Sequence, residues 1–196
     1  MLGLYVGAYN DVWFGVACDQ KQIFATTFGF SKEAVLDSLM KNIPFNVSFQ
    51  YEKEPSSLAK RVLDALNNLY MGKDSSSVFP LAMEHLSNYA RSILRVVILI
   101  PVGYVSSYGL VAKAGGGGAR AVGRIMATNP FAPIVPCHRV VTSDYGLGGY
   151  GGGIDVKLAF LAREKRGYIS AREIPVDGKK LHVFPVEFVL KRLRKE

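Results

Sequence analysis

Ser107-Tyr108-Gly109-Leu110-Val111-Ala112-Lys113-Ala114-Gly115-Gly116-Gly117-Gly118-Ala119-Arg120-Ala121-Val122-Gly123-Arg124-Ile125-Met126-Ala127-Thr128 reads as a capped helix, a turn and a second helix. The Ser107 hydroxyl is suited to cap a short helix from Tyr108 to about Ala114. Gly115 to Gly118 then permit a tight turn, and Ala119 to about Thr128 forms the second helix. This is helix-turn-helix spacing, in which the second helix enters a DNA groove. Compact residues Ala119, Ala121, Val122 and Gly123 surround Arg120 and Arg124, so the backbone can approach closely while two cations reach out. A minor-groove binder that inserts one arginine fits that arrangement. Two short helices joined by glycine also occur in ordinary helical cores, so the pattern alone leaves both readings open.

Working towards the N-terminus, an apolar-periodic helix runs from about Leu86 to Ile100 and is stopped by Pro101. Before it, Gly72-Lys73-Asp74-Ser75-Ser76-Ser77 is rich in turn and linker residues and places a domain boundary near 72–86. The expected domains are residues 1–80 and 81–196. In the first, Leu2–Tyr9, Val12–Ala17 and Gln22–Phe28 are β-branched and aromatic runs separated by polar turns, a small antiparallel meander. Ser31 opens a helix to about Lys41, and Pro55-Ser56-Ser57 precedes a clearer one carrying Leu58, Val62, Leu63, Leu66 and Leu69. The expected class is α/β in the α+β sense: a small antiparallel-sheet domain with helices, then a mostly helical helix-turn-helix domain. The tail reads as a packed terminal helix through Phe184, Phe188, Val189 and Leu190, with a basic end at Lys191, Arg192, Arg194 and Lys195.

Composition narrows the function classes. The 196 residues are 49% apolar and carry a formal charge of +8, the mark of a foldable basic protein. Residues 1–85 hold 7 Lys+Arg and 9 Asp+Glu, whereas residues 86–196 hold 17 and 7, so the basic charge belongs to the second half. Lys and Arg contacts to phosphate supply most non-specific nucleic-acid affinity, which points any such binding C-terminally. The longest apolar run, Val96–Val102, is far short of the roughly 20 residues of a membrane helix. Met1-Leu2-Gly3-Leu4-Tyr5 lacks a basic leader pattern, so a cytoplasmic, monomeric protein without membrane association is expected. Two cysteines and three histidines show no metal-ligand spacing, and no metal or cofactor is expected.

The segment after the second helix carries the chemistry. Asn129-Pro130-Phe131-Ala132-Pro133-Ile134-Val135-Pro136-Cys137-His138-Arg139-Val140-Val141 packs three prolines and a Cys-His pair around a short buried strand. Cys18 has no base or cation beside it and reads as an inert core residue. Cys137 has both neighbours. Adjacent residues of a straight strand point to opposite faces, so His138 meets the sulfur only if the chain bends, as the prolines allow.

Pro136-Cys137-His138-Arg139-Val140 resembles the active-site signature of the O6-alkylguanine-DNA alkyltransferases, single-use DNA-repair proteins. The resemblance continues from Gly103 to about Gly167 through Ser107-Tyr108, Ala119-Arg120-Ala121-Val122-Gly123, Asn129-Pro130, Gly149-Tyr150-Gly151-Gly152 and Leu161-Ala162-Arg163-Glu164. It implies that Cys137 takes the alkyl carbon from guanine O6 in double-stranded DNA, with O4-alkylthymine a further candidate substrate. His138 is then the base, oriented by Glu164, and Tyr108 the proton donor to the departing guanine. Arg120 would fill the gap left by a flipped nucleotide, with Tyr108, Ala119, Ala121, Gly123 and Arg124 also on DNA. Asn129, Pro136, Arg139, Val140, Tyr150, Gly151 and Gly152 would surround the base, and Asn129 would tie the recognition helix to the active-site segment.

The chain departs from family members at three points. Gly151 stands where serine is common, two fewer residues separate Tyr108 from Arg120 than in some relatives, and the N-terminal zinc ligands of some relatives have no counterpart beyond Cys18 and His85. Three rival functions compete. A non-catalytic alkyl-lesion sensor would lack Cys137, a helix-turn-helix regulator would have no use for Pro-Cys-His-Arg, and a cysteine hydrolase would need turnover of an acyl intermediate.

Overall fold

The computed structural model describes residues 1–75 and 78–194, so Ser76 and Ser77 of the expected linker and Lys195 of the basic end lie outside the described residues. The chain divides into two compact units. The first comprises Met1–Tyr70, Asp74–His85 and Pro130–Ile134, the second Met71–Lys73, Leu86–Asn129 and Val135–Glu196.

In the first unit the apolar-aromatic runs form strands β1 (Leu2–Tyr9), β2 (Val12–Cys18) and β3 (Ile23–Gly29), paired antiparallel as their alternation predicts. A further strand, β4 (Phe49–Tyr51), is too short to announce itself by alternation; it pairs parallel to β1 and gives the order β3-β2-β1-β4. Ser31 caps α1 (Lys32–Asn42) by accepting from the Ala34 amide, and Ser56 does the same for Ala59 in α2 (Ser57–Tyr70). Helix α1 sets Val35 and Leu39 into a core with Leu2, Leu4, Ala17 and Ala25. Helix α2 buries Ala59, Val62, Leu63, Leu66 and Leu69, the stripe its periodicity predicts. The Pro130–Ile134 segment joins this unit through fully buried Phe131 and through Thr26, whose amide and hydroxyl donate to the carbonyls of Pro130 and Ala132.

The second unit begins with α3 (Asn88–Val97), shorter than the expected Leu86–Ile100. Ser87 accepts from the Ala90 amide and so starts the helix two residues late, and after Ile98 the amides of Leu99 and Ile100 donate to carbonyls only three residues back, those of Val96 and Val97, which closes the helix ahead of Pro101. Strand β5 (Tyr104–Ser107) leads into α4 (Tyr108–Gly115), capped by the Ser107 side chain on the Leu110 amide, and α5 (Ala119–Ala127) follows the glycine turn. The expected buried strand is mostly a 3-10 turn, Cys137–Arg139, with only β6 (Val140–Val141) extended. Helix α6 (Ile154–Arg163) comes next.

The tail differs from a simple terminal helix. It forms an antiparallel hairpin, β7 (Arg172–Val176) and β8 (Lys179–Pro185), before α7 (Val186–Leu193), so Phe184 lies in a strand. Asp177 and Gly178 both take positive φ, the conformation that two-residue hairpins favour. In β8 the alternating Leu181, Val183 and Pro185 are buried. Strand β8 pairs with β5, and the second sheet runs β6-β5-β8-β7, so the helix-turn-helix unit has a sheet of its own. Val105, Val141, Leu147, Leu161, Val186 and Val189 form one buried cluster there.

Glu187 of α7 is buried and accepts from the amides of Arg166 and Gly167, just beyond α6. Hydrogen bonds to a charged group contribute about 1.5–3 kcal/mol, and these two are partly buried. Glu187→Ala is therefore expected to lower unfolding free energy by an amount of that order in urea titration; an unchanged midpoint contradicts this role for the tail.

Candidate active site

Both expected halves of the site lie in the second unit and meet at one cavity of about 640 Å³. Helix α5 contributes Ala119, Arg120, Gly123, Met126 and Ala127, one helical face by spacing. Tyr108, Cys137, Thr142 and the loop Gly148-Gly149-Tyr150-Gly151 complete the lining. Gly148 has φ of +66°, and a Cβ there would press on the Tyr108 ring at 3.0 Å, so this loop can lie against Tyr108 only as glycine. The Tyr108 hydroxyl donates to the Gly149 carbonyl at 3.3 Å.

Of the expected residues, Tyr108, Ala119, Arg120, Gly123, Cys137, Tyr150 and Gly151 line the cavity, whereas Ala121, Arg124, Pro136 and Gly152 do not. His138 and Glu164 are fully buried away from the lining. Arg139, expected around the base, is not among the residues that line the cavity. Its guanidinium binds both Glu164 oxygens at 2.9–3.1 Å and the Ile100 carbonyl at 2.6 Å, because a buried cation must be paired and hydrogen-bonded. Val140 is likewise off the lining, and its carbonyl accepts from Lys157 at 2.6 Å. Asn129 sits behind the cavity. Its amide donates to the Val135 carbonyl at 2.9 Å and its side chain hydrogen-bonds Cys137, so the end of α5 is tied to the cysteine segment.

The 3-10 turn bends the segment without joining the His138 and Cys137 side chains by a hydrogen bond. It turns His138 Nε2 to Glu164 Oε1 at 2.8 Å and lays the imidazole on the Phe160 ring, with centroids 4.5 Å apart. Burial pushes the His138 pKa down, outweighing the carboxylate of Glu164, and the cations of Arg139 and Lys157 push the same way. A neutral ring bonded to a carboxylate through Nε2 carries its proton there, which leaves Nδ1 as the basic lone pair. Nδ1 is buried and has no hydrogen-bond partner among the described residues. Burial opposes ionisation of Glu164, yet His138 and the Arg139 guanidinium bring its carboxyl down to about 2. The site thus holds a fixed anion, a fixed cation and a neutral base with a free acceptor.

Burial pushes the Cys137 thiol up, opposed by the Asn129 hydrogen bond, by Lys157 and by the amides of Cys137 and His138. Lys157 has no role assigned from the sequence. It is wholly buried, donates to the Val140 and Gly149 carbonyls at 2.6 and 3.4 Å, and sits 5.7 Å from the centre of the Tyr108 ring. Burial lowers its pKa to about 8. The signal that could have found it is its spacing with Phe160, Leu161 and Glu164, which puts Lys157 on the inward stripe of α6. Tyr150 hydrogen-bonds Cys137, and burial followed by that sulfur raises its pKa; burial followed by Cys137 also raises that of Tyr108. Both phenols therefore stay protonated at neutral pH. Among the described residues no group of three His, Cys, Asp or Glu side chains gathers to hold a metal, and no helix is long and apolar enough to cross a membrane.

Comparison with known proteins gives the geometry a context. Residues 88–166 match the family described as 6-O-methylguanine DNA methyltransferase, DNA binding domain. A methylated-DNA–protein-cysteine methyltransferase of Pyrobaculum aerophilum is 55% identical over 65 residues, 33% of this chain and 44% of that protein. Its counterpart in Methanothermobacter thermautotrophicus is 32% identical over 117 residues, 59% of this chain and 66% of that protein. The chain thus spans between 44% and 66% of the length of these two relatives. Among solved structures, the O6-methylguanine-DNA methyltransferase of Pyrococcus kodakaraensis superposes with a TM-score of 0.63 at 27% identity, covering 84% of this chain and 99% of that one. Mycobacterium tuberculosis OGT in complex with DNA superposes at 0.65 and 25% identity, covering 83% and 92%.

If Lys157 holds the sulfur's charge, Lys157→Met removes a cation that favours thiolate, and the thiol pKa moves further up. The pH profile of Cys137 alkylation by iodoacetamide is expected to move to higher pH. Near pH 7 the rate then falls about tenfold if the midpoint rises by about one pH unit. A profile that does not move excludes the role.

Proposed function

The chain belongs to the O6-alkylguanine-DNA alkyltransferase family, and we propose on that premise that it repairs double-stranded DNA by moving the alkyl group of O6-alkylguanine irreversibly onto Cys137. The observation that carries this reading is the shared cavity: the cysteine and the recognition helix line the same space. A base stacked in a duplex cannot present its O6-alkyl carbon to that sulfur, so the nucleotide must be rotated out. Arg120, exposed on α5 at the cavity, would occupy the vacated position in the stack.

The steps follow from the side chains. The resemblance implies a water between the two side chains, through which His138 Nδ1 takes the thiol proton, and Glu164 stabilises the imidazolium that forms. Lys157, Asn129 and two backbone amides favour the resulting thiolate. The sulfur attacks the alkyl carbon, an S–C bond forms, the C–O6 bond breaks, and its electron pair leaves on guanine. Tyr108 donates the proton that neutralises the departing base, and the proton held on His138 then returns to the Tyr108 phenolate. Net, one alkyl group passes from oxygen to sulfur and one proton from thiol to guanine, so the reaction balances without a cofactor. A thioether has no hydrolytic exit here, and each molecule acts once.

Incubation with excess duplex DNA carrying one O6-methylguanine, followed by intact mass and peptide mapping, tests the reading. One added methylene on Cys137, saturating at one per protein and absent in Cys137→Ala, is expected. Tight lesion binding with no adduct would instead make the protein a sensor.

The range of alkyl groups follows from the loop. A Cβ at Gly149 or Gly151 would meet nothing within 4 Å, so the cavity has open space where many family members carry a serine. O6-benzylguanine is therefore expected to label Cys137 in the same mass assay. Labelling by methylated DNA but not by the benzyl compound would contradict an open pocket.

A further inference from the structure

The four-glycine turn between α4 and α5 is seated on α3 through a single stripe. Tyr89, Ser92, Ile93 and Val96 fall at i, i+3, i+4 and i+7 of that helix, one face by helical spacing. The Ser92 hydroxyl donates to the Gly115 carbonyl at 3.0 Å. A Cβ at Gly115 would meet Ile93 Cδ1 at 2.8 Å and Val96 Cγ2 at 3.2 Å. Gly117 has φ of +77°, and a Cβ there would overlap the tip of the Tyr89 side chain, the hydroxyl oxygen first, then Cζ at 2.7 Å and Cε2 at 2.8 Å. The Tyr89 hydroxyl is itself buried and without a hydrogen-bond partner among the described residues. By contrast a Cβ at Gly116 or Gly118 would meet nothing within 4 Å. Two of the four glycines are thus pressed onto α3 and two are not.

A run of four glycines is conformationally permissive and would leave the helix after it free to swing. Helix α5 also starts at Gly118 with no side-chain cap, so its entry angle has no local anchor at that end. Packing against α3 supplies the constraint that the turn lacks. We propose that α3, with Tyr89 as the positioning residue, fixes the direction of the recognition helix and so aims Arg120 at the duplex while leaving the chemistry at Cys137 untouched. This rests on the alkyltransferase reading. The tip of the ring makes the seat by packing: the hydroxyl oxygen is the atom nearest the Gly117 position, Cζ and Cε2 follow it, and the hydroxyl satisfies no hydrogen bond among the described residues.

Full-length Tyr89→Ala, Tyr89→Phe and Gly118→Ala proteins, each checked for cooperative thermal unfolding, separate aim from chemistry. Two rates are measured for each: alkyl transfer from a duplex bearing O6-benzylguanine, and from the free O6-benzylguanine base, which enters the cavity without a duplex for Arg120 to engage. Tyr89→Ala is expected to slow the duplex reaction about tenfold or more and the free-base reaction less than about twofold, since small misplacements of a recognition element cost rate steeply. Tyr89→Phe loses the nearest atom but keeps Cζ and Cε2 against Gly117, so its duplex rate should fall less than that of Tyr89→Ala, and Gly118→Ala should keep both rates. Equal slowing on both substrates, or an unchanged duplex rate in Tyr89→Ala, overturns the proposal. If Tyr89→Ala does not fold, Gly117→Ala is read in the same two assays with the same expectation. Wild-type protein that reacts with neither substrate overturns the alkyltransferase reading instead. The seat is then read by fluorescence anisotropy on an unmodified duplex, where Tyr89→Ala should bind about tenfold more weakly and an unchanged affinity overturns it.

Discussion

The buried carboxylate of Glu164 is the constraint on which the rest of the site depends. It is the counter-ion of Arg139 and the acceptor for His138, two consecutive residues of one 3-10 turn. Breaking a buried ion pair by removing one partner costs about 3–5 kcal/mol, because the other charge is left without compensation. The turn is therefore fixed from behind by a group that never reaches the cavity. Cys137, the residue before His138, inherits its position from that bond. A residue at the end of α6 in this way decides where a nucleophile on another segment points.

Helix α6 extends the same logic along its length. Lys157, Phe160, Leu161 and Glu164 share its buried stripe, and they meet Val140, His138 and Arg139 in turn. One helix face thus holds a cation for the sulfur, a ring surface for the imidazole and the carboxylate that sets its tautomer. The cavity walls follow a different rule. Gly148, Gly149 and Gly151 offer backbone and little bulk, and α5 presents Ala119, Gly123 and Ala127 beside a single long cation, Arg120. A rigid reactive side and a permissive binding side suit the proposed reaction, in which one sulfur is held still while a base is brought in by DNA.

Much of this is legible in the residues. Ser31 and Ser107 announce their helices because a capping hydroxyl acts locally, and the three meander strands are readable because each is long enough to show alternation. Strand β4 and the hairpin β7–β8 are hidden for opposite reasons. The first has three residues, and the second has basic residues at its outward positions, which read as a charged tail although Asp177-Gly178 marks the turn. At the site, the Pro-Cys-His-Arg segment and Glu164 stand out, but the use of each residue does not. Arg139 looks like a substrate contact in one dimension because its partner lies 25 residues away. Lys157 looks like a surface charge because lysine usually is one, and only the face it shares with Phe160 and Leu161 says otherwise.

Above all, Glu164 holds His138 as a neutral base with its free lone pair on Nδ1. Long-range nitrogen-proton NMR of the His138 ring between about pH 5 and 8 tests this directly, with Glu164→Gln as the reference. The ring is predicted to stay neutral and protonated at Nε2 across that range, with the tautomer fixed only when the carboxylate is present. A ring that titrates near its ordinary value of about 6.5, or one that carries its proton on Nδ1, contradicts it.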